Sequence, residues 1–278
     1  MKRVRHRGDV SVFRMSLLIV LLLPYLAPFG YVLFTSLKSN ATYSVDPLGL
    51  SGFRGLVSYR EAWSATDLGA ELLHSLLAAG VGVIVSVTVS VLGGYWLFAA
   101  RSRRARQLVS AVLLSAMAVP STVYVIPLFV QLASAGLVDN LVVLGTIYGA
   151  IGAPLGSFLM RSYLMQLPTS VFDAASVDGA GTTSLLRLVV LPLCLPVIGT
   201  IATLIGILGL SDLLLASVMI TGQSQTTAVV GIATLANMYD SQVPEVAAGV
   251  VVALIPILTV FLIAQRALRR GITSGMER

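Results

Sequence analysis

The sequence contains very few charged residues. Only 11% of its 278 residues are Asp, Glu, Lys or Arg, whereas 56% are hydrophobic and the mean hydropathy is +0.93. Soluble domains carry about 25% charged residues, so the composition excludes an ordinary soluble globular protein. It predicts a single domain built as a bundle of membrane helices.

Residue types that carry common enzyme chemistry are also scarce. The two lysines, Lys2 and Lys38, do not lie in a GxxxxGK[ST] setting, so we expect no P-loop and no ATP hydrolysis by this chain. The two histidines are far apart, and the single cysteine, Cys194, offers neither a disulfide nor a metal cluster. The segment Gly179-Ala180-Gly181 lacks the third glycine of a dinucleotide-binding turn. We therefore expect no enzyme, and no cofactor or metal bound by the chain itself.

The basic residues that are present lie mostly on one predicted side of the membrane. Fifteen of the 18 Lys and Arg residues share that side, whereas Lys38, Arg54 and Arg60 lie on the other. This asymmetry matches the positive-inside rule and predicts a multi-pass cell-membrane protein, inner or plasma membrane, with both termini in the cytoplasm. It also explains the sequence pI of 9.8 without nucleic acid, because no extended basic face remains. The basic segments are residues 1–14, 101–106, 161 with 187, and 266–278.

Six apolar segments are long enough to cross about 30 Å of hydrocarbon. The predicted fold is therefore all-α, a polytopic membrane protein with six transmembrane helices between a basic N-terminus (residues 1–14) and a cytoplasmic tail (269–278). The predicted transmembrane domain spans residues 15–268, and polar residues 39–71 and 221–244 are expected as outer loops. The predicted spans are 15–37, 72–100, 108–133, 141–163, 188–220 and 246–265.

Residues 166–187, between the fourth and fifth spans, are too many for a simple turn. Pro168 breaks the preceding helix, Ser170 can cap a new one with Asp173 three residues on, and Gly179 with Gly181 can end it. The pattern predicts a short helix of about two turns. Its small residues permit close approach by another surface, which favours a docking element.

This segment resembles the Glu-Ala-Ala loop of the membrane subunits of ATP-binding-cassette importers. Asp173-Ala174-Ala175 is followed after three residues by Gly179 and later by Leu191-Pro192. Asp173 has the same charge as the usual Glu but a shorter side chain. The fuller form DAASVDGA is similar to the carbohydrate branch, of maltose and trehalose type. Three other segments are similar to that branch: SLK at 36–38, SYREAW at 58–63 and QRALRRGITSGMER at 265–278.

The resemblance implies a permease subunit that forms half of the translocation path for a sugar, a di- or oligosaccharide. Its implied partners are a second permease, two ATPase subunits that bind ATP and Mg, an extracytoplasmic solute-binding protein and the lipid membrane. The segment 166–187 would be the cytoplasmic coupling loop, whose helix couples transport to the ATPases. The implied ATPase-coupling residues are Phe172, Asp173, Ala174, Ala175, Asp178, Gly179, Ala180, Leu191 and Pro192.

Two further groups of residues are candidates for contacts with solute and with the binding protein. Prolines inside a span suit a kinked helix that lines a pathway, and an intramembrane carboxylate is a functional hypothesis. Asp212 can alternatively lie at the outer interface. The substrate-path candidates are Pro120, Tyr124, Ser211 and Asp212, and the candidates for binding-protein contact are Gln223, Gln225, Asn237 and Asp240.

Two alternatives stay open at this point. The first is the same machine carrying a glycerophosphodiester or a polyol. The second is a self-contained secondary transporter or channel, which needs intramembrane charges for its coupling ions. Asp212 is the candidate for that role.

Overall fold

The computed structural model of the chain describes residues 7–49, 51–237 and 242–273. In these residues the backbone is helical apart from turns, loops and one isolated antiparallel bridge between Lys38 and Phe53, which confirms the all-α expectation. A π-helical turn (Leu186–Val190) precedes α10, and a 3-10 turn (Gln223–Gln225) precedes α13. The helices are α1 (Arg7–Thr35), α2 (Asn40–Val45), α3 (Val57–Ala65), α4 (Leu68–Ala99), α5 (Arg103–Ala118), α6 (Ser121–Ser134), α7 (Leu141–Leu164), α8 (Thr169–Val177), α9 (Thr182–Leu185), α10 (Leu191–Leu193), α11 (Leu195–Ser211), α12 (Leu214–Met219), α13 (Ala228–Asn237) and α14 (Val243–Thr273).

Four helical segments are long and apolar enough to cross a membrane: Arg14–Thr35, Leu68–Ala99, Leu141–Leu164 and Val243–Gln265. Two helix pairs pass the same test together but are sharply bent. The angle is 94° between α5 and α6, and 75° between the segment Thr182–Leu193 and α11. The described residues therefore hold four candidate spans, or up to six if each bent pair crosses once.

Proline explains the first bend. The sequence predicts one kinked span over 108–133, but the structure separates α5 from α6 at Val119 and Pro120. Val119 has an extended backbone (φ −85°, ψ 116°), as expected for a residue that precedes proline. Pro127 remains inside α6, so position 120 alone interrupts the helix.

Two prolines flank the second bend. The sequence treats residues 188–220 as one apolar segment interrupted at Asp212, whereas the structure has a π-helical turn, the short α10, α11 and α12 in this range. Pro192 and Pro196 each lack the N–H that a helix needs for its i to i−4 hydrogen bond. The chain turns at Cys194, which lies between them and is buried.

The structure also corrects the prediction of a plain outer loop over 221–244. Ten residues of this range form α13, in which Ile232 and Leu235 are buried. The polar residues on both sides of this short apolar stretch conceal it in the sequence. Residues 238–241, including the candidate Asp240, lie outside the described residues.

One compact unit comprises residues up to 68 together with 232–252. Lys38 is fully buried in this unit: its Nζ donates to the carbonyl oxygens of Asp46 (3.1 Å) and Pro47 (2.9 Å) and lies 5.0 Å from the centre of the Phe34 ring. The Ser58 hydroxyl donates to the Lys38 carbonyl oxygen over 3.0 Å. The segments SLK and SYREAW, which are distant in sequence, therefore contact each other.

Replacing Lys38 with methionine is expected to loosen the segment that follows it. Methionine fills similar space but leaves two carbonyl oxygens without their charged donor, which costs about 1–3 kcal/mol. Limited proteolysis of the purified protein should cut residues 39–56 faster in Lys38→Met than in the exposed control Arg60→Met. Equal cleavage rates would contradict this assignment.

The second compact unit comprises residues 69–231 and 253 onward. Its centre is a close contact between α4 and α7 along glycines of both helices. A Cβ added to Gly149 would lie 2.6 Å from the Val85 Cβ, and one added to Gly94 would lie 2.5 Å from the Met160 Cβ. Small residues permit such close helix approach in membranes. Gly82 of α4 contacts Tyr148 of α7, and the later Gly94 contacts the later Met160. Residue numbers thus increase in the same direction along both helices, so α4 and α7 run parallel.

Helix α11 packs against the same pair in the opposite direction. Gly209 lies against Tyr148, and Ile201 lies against Gly156. Residue numbers therefore decrease along α11 in the direction in which they increase along α7, and the two helices are antiparallel. Two buried clusters complete the packing, one around Tyr148 and one around Met160 and Cys194. The end of α4, the end of α7 and the start of α11 therefore lie at one end of this unit.

Candidate functional site

Helix α8 lies at the end of the second unit where α4 and α7 finish. The Phe172 ring packs against the Phe98 ring of α4 with centres 5.1 Å apart, and Ala175 is 9% exposed. These two side chains attach α8 to the rest of the unit. Asp173 and Ala174 are exposed on the helix, and Val177 is 87% exposed.

The start and the end of α8 differ in detail from the sequence expectation. The helix begins at Thr169, directly after Pro168, so Ser170 lies inside the helix and is not its cap. It ends at Val177, and Gly179 follows with φ +71°, a left-handed conformation that glycine adopts without strain. The short helix that the sequence predicts is therefore present, and Gly179 forms the turn after it.

The predicted coupling residues fall into two groups. Asp173, Ala174, Asp178 and Gly179 are exposed, whereas Phe172 and Ala175 face the protein and Ala180 is half-buried. Leu191 and Pro192 are exposed on α10, next to the bend at Cys194. Sequence reasoning missed Val177, whose apolar side chain stands in solvent on the same helix.

The break between α5 and α6 borders a cavity of about 840 Å³. Pro120 and Tyr124 line it, as the sequence suggested for the substrate path, and most of the other lining side chains are apolar. Ser211 and Asp212 are not among the lining residues. This cavity therefore brings together two of the four substrate-path candidates, Pro120 and Tyr124.

Asp212 forms hydrogen bonds that link three helices. Its Oδ2 accepts from the Tyr148 hydroxyl (3.0 Å) and from the backbone N–H of Ala216 (3.0 Å). Asp212 directly follows α11 as its C-cap, and Ala216 lies in α12. Tyr148 is fully buried in α7. The carboxylate thus connects α7, α11 and α12. Tyr148 was missed in the sequence because it lies 64 residues away from its partner.

Replacing Tyr148 with phenylalanine is expected to destabilise the protein by about 1 kcal/mol, because interhelical hydrogen bonds in membrane proteins contribute about that much. The variant keeps the ring and its packing and removes only the hydroxyl. Thermal unfolding in detergent measures the change, with Tyr25→Phe as the control at a ring that is 76% exposed. A midpoint equal to that of Tyr25→Phe would exclude a stabilising role for the bond.

The Asp139 side chain holds the start of the segment between α12 and α13. The Asp139 carboxylate accepts from the backbone N–H groups of Thr221 (2.5 Å) and Gly222 (2.7 Å) and from the Thr221 hydroxyl (2.9 Å). The Gly222 N–H, followed by the Thr221 groups, lowers the pKa of Asp139 below its usual range. The hydrogen bonds to the ionised Asp139 carboxylate are therefore complete at neutral pH and are lost only as the pH falls through that lowered pKa.

Three of the candidates for binding-protein contact lie in or after this segment. Gln223 and Gln225 form its 3-10 turn, and Asn237 is the last residue of α13.

Comparison with known proteins identifies the chain. Residues 90–274 match the family described as binding-protein-dependent transport system inner membrane component, which is well over half of the 278 residues. The chain belongs to this family. This membership confirms the resemblance that the coupling-loop pattern indicated, and it does not support the alternative of a self-contained secondary transporter or channel.

Several curated members of the transport family match this permease along most of their length. The trehalose transport system permease protein SugB of Mycobacterium tuberculosis is 31% identical over 90% of this chain and 91% of its own. The diacetylchitobiose uptake system permease protein NgcG of Streptomyces coelicolor is 28% identical over 95% of this chain and 87% of its own. The melibiose/raffinose/stachyose import permease protein MelC of Bacillus subtilis is 27% identical, covering 89% and 90%.

Solved structures support the fold of this family member. A chain of a bacterial ATP-binding-cassette transporter involved in import of the acidic polysaccharide alginate superimposes with a TM-score of 0.79 at 22% identity, covering 96% of this chain and 100% of that one. A chain from an alginate transporter complexed with a pentasaccharide-bound periplasmic protein gives 0.68 at 14% identity, covering 95% and 96%. The chain therefore has the fold of an importer permease. In this family of membrane components, the ATPases are separate subunits.

Proposed function

We propose that this permease subunit forms half of the translocation path of an ATP-driven, binding-protein-dependent importer for a di- or oligosaccharide. The matched relatives support a sugar, because their names refer to trehalose, diacetylchitobiose and melibiose, raffinose or stachyose. The alternative solutes, a glycerophosphodiester or a polyol, have less support among these relatives.

The exposed face of α8 is the observation that carries the coupling part of this proposal. Phe172 and Ala175 attach the helix to its own subunit, and Asp173, Ala174 and Val177 are left for a partner. A short helix of this kind suits a groove on an ATPase subunit, in which the small Ala174 permits close approach. ATP-driven closure of two such ATPases, which bind ATP and Mg, would shift α8 together with the spans attached to it.

The direction of the helices supports six crossings. Because α4 and α7 run parallel, the chain between them must return across the membrane, and the bent pair α5 with α6 is the segment available for this return. Helix α11 runs antiparallel to α7 and crosses back after α8. With α1 and α14, which pass the length and hydropathy test, the number of spans is six, within the proposed membrane domain 15–268.

Charge favours a cytoplasmic location for the end that carries α8. The segment 101–106, with four arginines, follows directly on α4, and the end of α4 contacts α8 through Phe98 and Phe172. By the positive-inside rule this end faces the cytoplasm, together with residues 1–14 and 269–278. The turn at Asp139 and the segment 221–228 then face outward, where a solute-binding protein delivers the sugar.

Reconstitution tests the proposal directly. The subunit is purified with its second permease and two ATPase subunits, placed in liposomes and supplied with the solute-binding protein. We expect ATP-dependent uptake of an oligosaccharide and ATP hydrolysis that rises when the sugar-loaded binding protein is added. Uptake without ATP, or purification of the chain without ATPase subunits, would contradict the proposal. Uptake of a polyol in place of a sugar would contradict only its substrate.

A further inference from the structure

The start of the segment between α12 and α13 is fixed by the turn between α6 and α7. The Asp139 carboxylate accepts three bonds from Thr221 and Gly222, as described above, and its own backbone N–H donates to the Met219 carbonyl oxygen over 2.9 Å. Charge-assisted hydrogen bonds are about twice as strong as neutral ones. Asp139 also adopts φ +57°, a left-handed conformation that Asp and Asn tolerate better than most residues.

The end of the same segment is fixed by the first turns of α4. The Ser75 hydroxyl accepts from the Ala228 backbone N–H over 3.0 Å, and Ser75 is 3% exposed. The His74 Nδ1 lies 3.0 Å from the Thr226 carbonyl oxygen; because a carbonyl oxygen only accepts, Nδ1 carries the proton. Ser75 lies 153 residues away from Ala228 in the sequence, so this anchor is a product of helix packing.

Between the two anchors lies a short uncharged turn. Residues 222–227 are Gly, Gln, Ser, Gln, Thr and Thr, and Ser224 is exposed. The turn offers amide and hydroxyl groups and no charge. A segment held at both ends loses little conformational freedom when a partner binds, so its affinity is higher than that of a free loop.

We propose that Asp139, His74 and Ser75 are positioning residues that hold residues 221–228 as a preformed contact surface for the solute-binding protein. The proposal rests on the proposed function, because it needs a binding protein that docks on this face. The partner chemistry it fits is an uncharged, hydrogen-bonding protein surface, which matches the amides and hydroxyls of the turn.

Two conservative variants release the two anchors separately. Asp139→Asn keeps the size and the left-handed tolerance of residue 139 but removes the charge that three donors share. Its matched control is Asp67→Asn, because Asp67 is exposed, adopts φ +55° and makes no side-chain hydrogen bond in the described part of the chain. Ser75→Ala removes the acceptor for Ala228. Its control is Ser115→Ala, an exposed serine whose hydroxyl contacts only the carbonyl of Val112 in its own helix.

The first measurement concerns the turn itself and uses the assembled importer without the solute-binding protein. A spin label at Ser224→Cys reports its mobility, in a background in which the buried Cys194 is replaced by alanine. Asp139→Asn and Ser75→Ala should each increase the mobility of the label, and the two controls should not. Unchanged mobility in both variants would overturn the assignment of these residues as anchors.

The second measurement concerns the partner and uses the assembled importer in liposomes. ATP hydrolysis is followed against the concentration of sugar-loaded binding protein. We expect the concentration for half-maximal stimulation to rise about tenfold in Asp139→Asn, with the maximal rate unchanged, because the surface can still bind once it is ordered. A general loss of folding would instead lower the maximal rate.

The possible outcomes separate this inference from the proposed function. A mobile label with an unchanged half-maximal concentration would overturn the role in docking and leave the importer function intact. A wild-type complex that the binding protein does not stimulate would overturn the proposed function, and the docking role with it, while the mobility measurement still decides the anchors.

Discussion

Replacing Gly149 with leucine is expected to prevent the chain from folding into a stable membrane subunit. Even the first carbon of the new side chain would lie 2.6 Å from the Val85 Cβ and 2.9 Å from the Gly82 carbonyl oxygen. The backbone of α4 cannot move aside as a flexible side chain can, so α4 and α7 must separate to make room for the leucine. Overpacking of this kind costs about 3 kcal/mol or more, a large part of the 5–15 kcal/mol that stabilises a typical protein.

The yield of monodisperse protein in mild detergent and its thermal midpoint measure this effect. Gly80→Leu is the matched control, since Gly80 lies in α4, is exposed, and has no atom within 4 Å of its Cβ position. We expect the control to resemble the wild type and Gly149→Leu to aggregate or to melt far lower. Equal yields and equal midpoints would show that the α4–α7 contact is not as close as described.

Replacing Val177 with aspartate is expected to remove the ATPase subunits from the purified complex while the permease itself stays folded. Val177 is 87% exposed, and exposed substitutions usually change stability by less than about 0.5 kcal/mol. In the proposed complex this side chain is covered by an ATPase. An unpaired carboxylate buried there costs several kcal/mol, enough to reduce association by orders of magnitude.

Val45→Asp provides a matched control, because Val45 is also 87% exposed but lies on α2. The two variants are compared by co-purification of ATPase subunits and by the thermal midpoint of the permease. Loss of ATPase only in Val177→Asp supports α8 as the coupling helix. Retention of ATPase in both variants would place the contact elsewhere on the subunit.

The sequence predicts the elements of this fold well, because local signals define them. Apolar length locates the membrane segments, and Pro168 with Gly179 brackets α8. The bend at Pro120 is also indicated, although its angle of 94° depends on the packing of both halves. The helix α13 was hidden because its apolar stretch is short and lies between polar residues.

The contacts that assemble the candidate site could not be predicted in the same way. Tyr148 meets Asp212, and Ser75 meets Ala228, only because particular helix faces oppose each other. A single sequence contains no signal for such pairs. The orientation of α8 was likewise not predictable, since it depends on Phe172 contacting Phe98 at the end of another helix.

The glycine contacts also determine how this subunit can move. Because side chains of α4 and α11 fill the space at Gly149, Gly152 and Gly156, we expect these two helices and α7 to move together as one rigid unit. Helix α7 has 24 residues and is about 36 Å long. If these helices tilt by about 10° about their α8 end, the far end of α7 moves by about 6 Å. In the proposed importer, a small push on α8 would therefore produce a larger opening at the opposite end of these helices.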